Sequence, residues 1–188
     1  MAEKLYDLWA KGNPDFEIRF EPLLRLYTDY GKGTNQFTES KAKILGAGYE
    51  LYIVAFYIGL YANRTKPLHP DPCKRKHLGH AIMYWGNIEK RKFRTAYPEL
   101  RTYMFMALLA RTDIDFIALD KGELQVQRVV ADLKKKMEEY ANYGFDYIHE
   151  KLEEDSAWLS RNSSLLDTFL SFTGKVSEKE NDDEPDEI

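Results

Sequence analysis

The nineteen residues from Ile44 to Ala62, ILGAGYELYIVAFYIGLYA, constrain this chain more than any other stretch. Leu45, Tyr49, Ile53, Phe56 and Leu60 recur at helical spacing and form one bulky face. Gly48, Ala55, Gly59 and Ala62 form an adjacent face of small side chains, and only a strip around Glu50, Tyr57 and Tyr61 is partly polar. A helix apolar nearly all round is a central core helix. The spacing predicts one over 41–62, with Thr38 or Ser40 accepting bonds from the free N–H groups of its first turn. Its small face would let another backbone pack unusually close. The segment approaches the length of a membrane span. However, Glu50 and the tyrosines at 49, 52, 57 and 61 suit a buried helix better, because a charge at mid-helix is costly in lipid.

Other segments follow from the same periodicity. Leu5, Leu8 and Trp9 make a first short helical stripe, ended by Gly12-Asn13-Pro14. Phe16, Ile18 and Phe20 alternate as in a short strand, while Leu23, Leu24 and Tyr27 are spaced for a helix. Pro98 opens a second core helix over 98–111, where proline at the first position loses no bond. Leu100, Tyr103, Met104, Ala107 and Leu108, widened by Phe105, Met106 and Leu109, predict that it is buried on nearly every side. Residues 113–120 read as a strand or an extended loop. A long amphipathic helix over 124–154 carries Val126, Val130, Leu133, Met137, Tyr140 and Tyr147, interrupted by Gly144. Two last helical pieces hold Trp158 and Leu159, then Leu165, Leu166, Phe169, Leu170 and Phe172, with Gly174 closing the fold. The expected architecture is mainly all-α: an irregular bundle of about five to seven helices in one domain, 1–174. A disordered acidic tail is expected over 175–188, where almost no apolar residue could pay for ordering.

Charge is segregated along the chain. The net charge is −4, but 64–101 carries +7, the tail −5 and the remainder −6. The basic part lies in a long connection, 63–96, punctuated by Pro67, Pro70, Pro72, Gly79 and Gly86; a short helix is expected near Leu78–Trp85. Lys74, Arg75 and Lys76, with Lys90, Arg91, Lys92 and Arg94, bracket Tyr84 and Trp85. Cations neutralise phosphates and aromatic faces stack on unpaired bases, so these nine residues are candidates for nucleic-acid or partner contact. The competing reading is a solvated loop whose aromatics pack into the core.

Other constellations are thinner. His69, Cys73, His77 and His80 lie within twelve residues and are chemically suited to zinc, but they lack the paired CxxC knuckles of structural sites. Asp113 and Asp115 form a DxD pair that would suit a hard cation. Glu39-Ser40-Lys41 resembles the end of a nuclease motif but precedes a helix instead of lying on a strand. Gly46-x-Gly48 lacks a third glycine and sits in a predicted helix, so it does not read as nucleotide-binding. Ser163 and Ser164 have no nucleophile-elbow context. No cofactor is expected, and no metal site is assigned.

Cys73 is the single cysteine, and Met1-Ala2-Glu3-Lys4 does not begin a signal peptide; both favour a cytoplasmic location. Thirteen tyrosines and an aromatic content of 14% exceed what a small core requires, and such residues are favoured at interfaces. The leading expectation is therefore a non-catalytic helical subunit or adaptor of a multiprotein assembly. Protein partners are expected, nucleic acid is a candidate partner through 64–101, homo-oligomerisation is open, and no membrane contact is expected. The alternatives are a small metal-dependent hydrolase or nuclease, using the His/Cys cluster or the Asp-x-Asp pair, and a membrane-associated protein built on 44–62.

Overall fold

The computed structural model describes residues 2–31, 45–87, 95–161 and 163–180, with side chains from 4 to 174 in those ranges. The Thr38 and Ser40 caps, the Glu39-Ser40-Lys41 triplet, Lys90, Arg91, Lys92 and Arg94, and the tail from 181 lie outside the described residues.

The protein is mainly helical, as the periodicity predicts. Its helices are α1 (Ala2–Ala10), α2 (Glu21–Tyr27), α3 (Gly48–Tyr61), α4 (Glu99–Ala110), α5 (Phe116–Asp120), α6 (Val126–Glu154) and α7 (Ser164–Glu180). Two three-residue strands, β1 (Asp15–Glu17) and β2 (Arg75–His77), pair antiparallel, with Asp15 opposite His77 and Glu17 opposite Arg75. The alternation at Phe16, Ile18 and Phe20 thus yields β1 and then a 3₁₀ turn over Ile18–Phe20.

The most extensive packing joins α3 to α6. The two helices run antiparallel, with Gly59 against Tyr140 and Ala55 against Gly144. A Cβ at Gly59 would overlap the Tyr140 carbonyl, and one at Gly144 would overlap the Ala55 carbonyl. The small face of α3 therefore does what its composition predicts. Gly144 is no interruption of the α6 stripe; it is the notch that admits α3. The buried line of α6 accordingly runs through Val129, Leu133, Met137, Tyr140, Ala141, Gly144, Phe145 and Ile148. Aromatic rings fill the space around this crossing. Phe20 stacks on Phe145 at 5.2 Å, Tyr52 meets Phe145 edge-on at 5.6 Å, and Tyr49 stacks on Trp85 at 5.8 Å.

Four boundaries differ from the sequence reading. Helix α3 starts at Gly48 because the backbone at 45–46 pairs elsewhere: the Leu45 N–H donates to the Tyr27 carbonyl and the Asp29 N–H to the Gly46 carbonyl. Glu50, in the first turn, reaches back to accept the Gly46 N–H at 2.7 Å, one residue ahead of the Ala47 N-cap, and so ties the approach to the helix. Residues 116–120 form helix α5 in place of a strand or loop, because the Asp115 carboxylate accepts the N–H groups of Ile117 (3.0 Å) and Ala118 (2.8 Å). The helix expected near Leu78–Trp85 is a 3₁₀ turn over Ile82–Tyr84. Helix α7 continues past Gly174 to Glu180.

Candidate functional site

The basic connection is tied to the body of the protein by acids from distant parts of the chain. Lys76 Nζ donates to both oxygens of Glu21, at 3.0 and 3.1 Å. The Arg75 guanidinium donates to the Pro70 carbonyl at 3.1 Å. Lys74 stands exposed at the end of a 3₁₀ turn. Tyr84 is 56% exposed, whereas Trp85 is fully buried and donates its indole N–H to the His80 carbonyl at 3.1 Å. Both faces of Trp85 are therefore committed to the core, and it anchors the connection instead of offering a stacking surface.

The His/Cys cluster is spread rather than gathered. The His77 ring binds the Asp15 carboxylate across the β1–β2 pair. His69 Nδ1 accepts the Asp71 N–H at 3.1 Å, and Cys73 is exposed. His80 lies near the Tyr49 ring, 6.4 Å between centroids. Asp115 is occupied in capping α5. Among the described residues, no three His, Cys, Asp or Glu side chains gather as metal ligands would. No helix there is long and apolar enough to cross a membrane.

A polar hub fixes the start of the connection to α6. Glu17 Oε1 accepts the Asn142 amide at 3.0 Å and the His69 N–H at 2.9 Å, and Oε2 accepts Arg19 Nε at 2.6 Å. Arg19 also bonds Asp146 at 2.5 Å, and Lys66 pairs with the other Asp146 oxygen. Asn142 donates further to the Pro67 carbonyl at 3.0 Å. Burial alone would raise the Glu17 and Asp146 carboxyl pKa values. Hydrogen bonds to Glu17 from Arg19, Asn142 and His69, and to Asp146 from Arg19 and Lys66, outweigh it and hold both below their usual range. These groups brace the fold and face one another.

The surface feature that the fold leaves bare is aromatic and aliphatic. On α4, Tyr103 is 62% exposed and Met106 59%, one turn apart on the outward face. The inward face of α4 is Met104, Phe105 and Leu108. Next to it lies the end of α3, with Tyr57 half-buried and Tyr61 47% exposed. The Tyr57 ring lies 6.5 Å from that of Tyr61, and its hydroxyl is pushed up to about 12, by burial first and then by the Tyr61 and Tyr103 phenols. Tyr61 in turn meets Phe169 of α7 at 5.1 Å. Beyond Phe169, Leu166 and Leu170 are each 58% exposed at i,i+4 spacing. The apolar arcs of α7 and α4 are thus both wider than the body covers.

This face corrects the reading of α4 as buried on nearly every side. A helix apolar all round does not reveal which side its neighbours will occupy. The signal available was the excess of aromatic residues and methionine over the needs of the core. On the far side of α7, a polar cleft runs between α6 and α7, where Lys151 pairs with Glu154 at 2.7 Å and Arg161 with Asp155.

No family model matches the chain, and neither does any curated protein or solved structure.

Proposed function

We propose that the protein is a non-catalytic subunit of a multiprotein assembly that docks through the α3–α4–α7 face. The observation that carries this reading is the exposure of Tyr61, Tyr103, Met106, Leu166 and Leu170 on these three helices, with Tyr61 against Phe169 of α7 and Arg111 of the α4 end bonded to Asn63 just past α3. Half-exposed side chains of this size present on the order of 100 Å² each. Together they expose about 500 Å² of largely apolar surface, and exposed apolar surface on this scale marks interaction sites when it is gathered. Aromatic residues and methionine are the types that concentrate at interface centres. The basic connection supports a docking role less well, since Lys76 and Arg75 already have partners within the chain and Trp85 is buried.

A photo-crosslinking residue placed at Tyr103 or Leu170, and at exposed Glu153 as control, tests this in the native host. Capture of the same protein partner from both face positions, and not from Glu153, is the expected result. Equal capture at all three positions, or none, overturns the docking face. Capture of nucleic acid at a crosslinker on Lys74 or Tyr84, with no protein at the face, would shift the function to the basic segment.

A further inference from the structure

We propose that the occupant of this face is a second copy of the chain, with α4 packed antiparallel against its counterpart across a two-fold axis. The inference rests on the docking reading and names its partner. The outward surface of α4 reads in order Glu99, Thr102, Tyr103, Met106, Ala110, followed at the helix end by Arg111. That order is complementary to its own reverse. A two-fold axis placed between Tyr103 and Met106 brings Tyr103 of one copy against Met106 of the other. At 1.5 Å rise per residue, the same axis carries Glu99 to the level of Ala110 and Arg111 of the second copy. Such an isologous contact forms every pairing twice and closes on itself.

The charges fit this arrangement. Glu99 and Arg111 are exposed, and among the described residues neither makes an ion pair within its own chain. The Arg111 guanidinium donates only to the neutral Asn63 side chain, at 3.2 Å, which orients it beside the α3 end of the face. Ala110 is small and lets the helix ends approach. Asn63 follows Tyr61 by two residues, so the Arg111 bond sets the α3 end at this end of the α4 seam. Tyr103, Met106 and Tyr61 supply an apolar centre on the order of 300 Å² of the roughly 800 Å² per partner in a standard interface, and the polar rim supplies the rest. An unrelated partner would need none of this self-complementarity.

Sedimentation velocity on the full chain over a concentration series tests the proposal. The expected result is reversible association to twice the chain mass in the micromolar range or tighter, as interfaces of this size give. The double variant Tyr103→Glu, Met106→Glu should be monomeric with an unchanged helical circular dichroism spectrum, since both side chains are exposed. Glu99→Arg alone and Arg111→Glu alone should each weaken the dimer by about tenfold or more, because each sets like charges together twice. Combining the two should restore association, which a merely structural effect would not do. A wild-type chain that stays monomeric up to about 100 μM overturns the proposal. So does a dimer indifferent to the Tyr103/Met106 variant, or a double charge swap that fails to restore it. If the chain is monomeric and the Tyr103 crosslinker still captures a different protein, the docking reading stands and only the second copy is lost.

Discussion

Gly144 and Gly59 carry the α3–α6 crossing, because the backbone of one helix occupies the space where the other would hold a Cβ. Gly144→Ala is expected to cost about 3 kcal/mol, since the methyl forces two packed backbones apart. Gly79 supplies the comparison. Its φ is +95° and nothing lies within 4 Å of an added Cβ, so Gly79→Ala should cost only the roughly 1–2 kcal/mol of backbone strain. Urea unfolding of the two variants separates the mechanisms, and equal losses would show that the crossing is looser than its geometry. The carboxylates of the hub make a second prediction. Glu17 and Asp146 are held below their usual range in the folded state. The unfolded chain therefore takes up more protons on acidification, and the stability they contribute is present above the ordinary carboxylate pKa and lost as pH falls toward the depressed values. Glu138 acts in the opposite sense. Burial raises its pKa, against a hydrogen bond from the Asp15 N–H at 2.8 Å, so it costs stability as pH rises through its range. The urea midpoint should fall between about pH 5 and pH 3. Asp146→Asn should flatten that fall and Glu138→Gln should steepen it.

The five residues of α5 are too few to be stable by propensity, and the Asp115 carboxylate satisfies two of the free N–H groups at its start. Asp115→Ala should cost about 1 kcal/mol, a normal value for a lost cap. The same substitution should speed amide exchange at Ile117 and Ala118 before any global unfolding, and unchanged exchange there would argue against the cap. Helix α7 is held by Leu165, Phe169 and Phe172, with Phe172 against Tyr147 at 5.7 Å and Thr168 bonding back to the Ser164 carbonyl at 2.8 Å. All of these precede Lys175. Removing 175–188 should therefore leave the melting temperature nearly unchanged. A drop of several degrees would mean that the acidic end docks on the body.

At the scale of the whole molecule, segregated charge along the chain becomes partly compensated charge in space. Lys76 lies on Glu21 and His77 on Asp15, across 55 and 62 positions of sequence. A chain of net charge −4 with Lys76 already engaged should give no gel shift with single-stranded RNA or duplex DNA near 150 mM salt, where phosphate binding is already much weakened. A clear shift at that salt, lost on Lys74→Glu with Arg75→Glu, would return nucleic acid to the centre of the functional reading.

Local pattern alone determined the helical class, the close-packing face of α3, and the extents of α4 and α6 to within about two residues. Helical period and side-chain size are properties of a short window, and they act wherever the segment ends up. The tertiary structure decided the rest. It delayed the start of α3 by pairing 45–46 with 27–29, and it turned Gly144 from an apparent break into a contact. It withdrew Trp85 into the core and set acids from β1 and α2 against the basic connection. Above all it chose the side of α4 left uncovered. Met106 is as apolar as Leu108, and only the positions of α1 and α6 around the helix separate an exposed face from a buried one, because burial is a property of neighbours that no window of sequence contains.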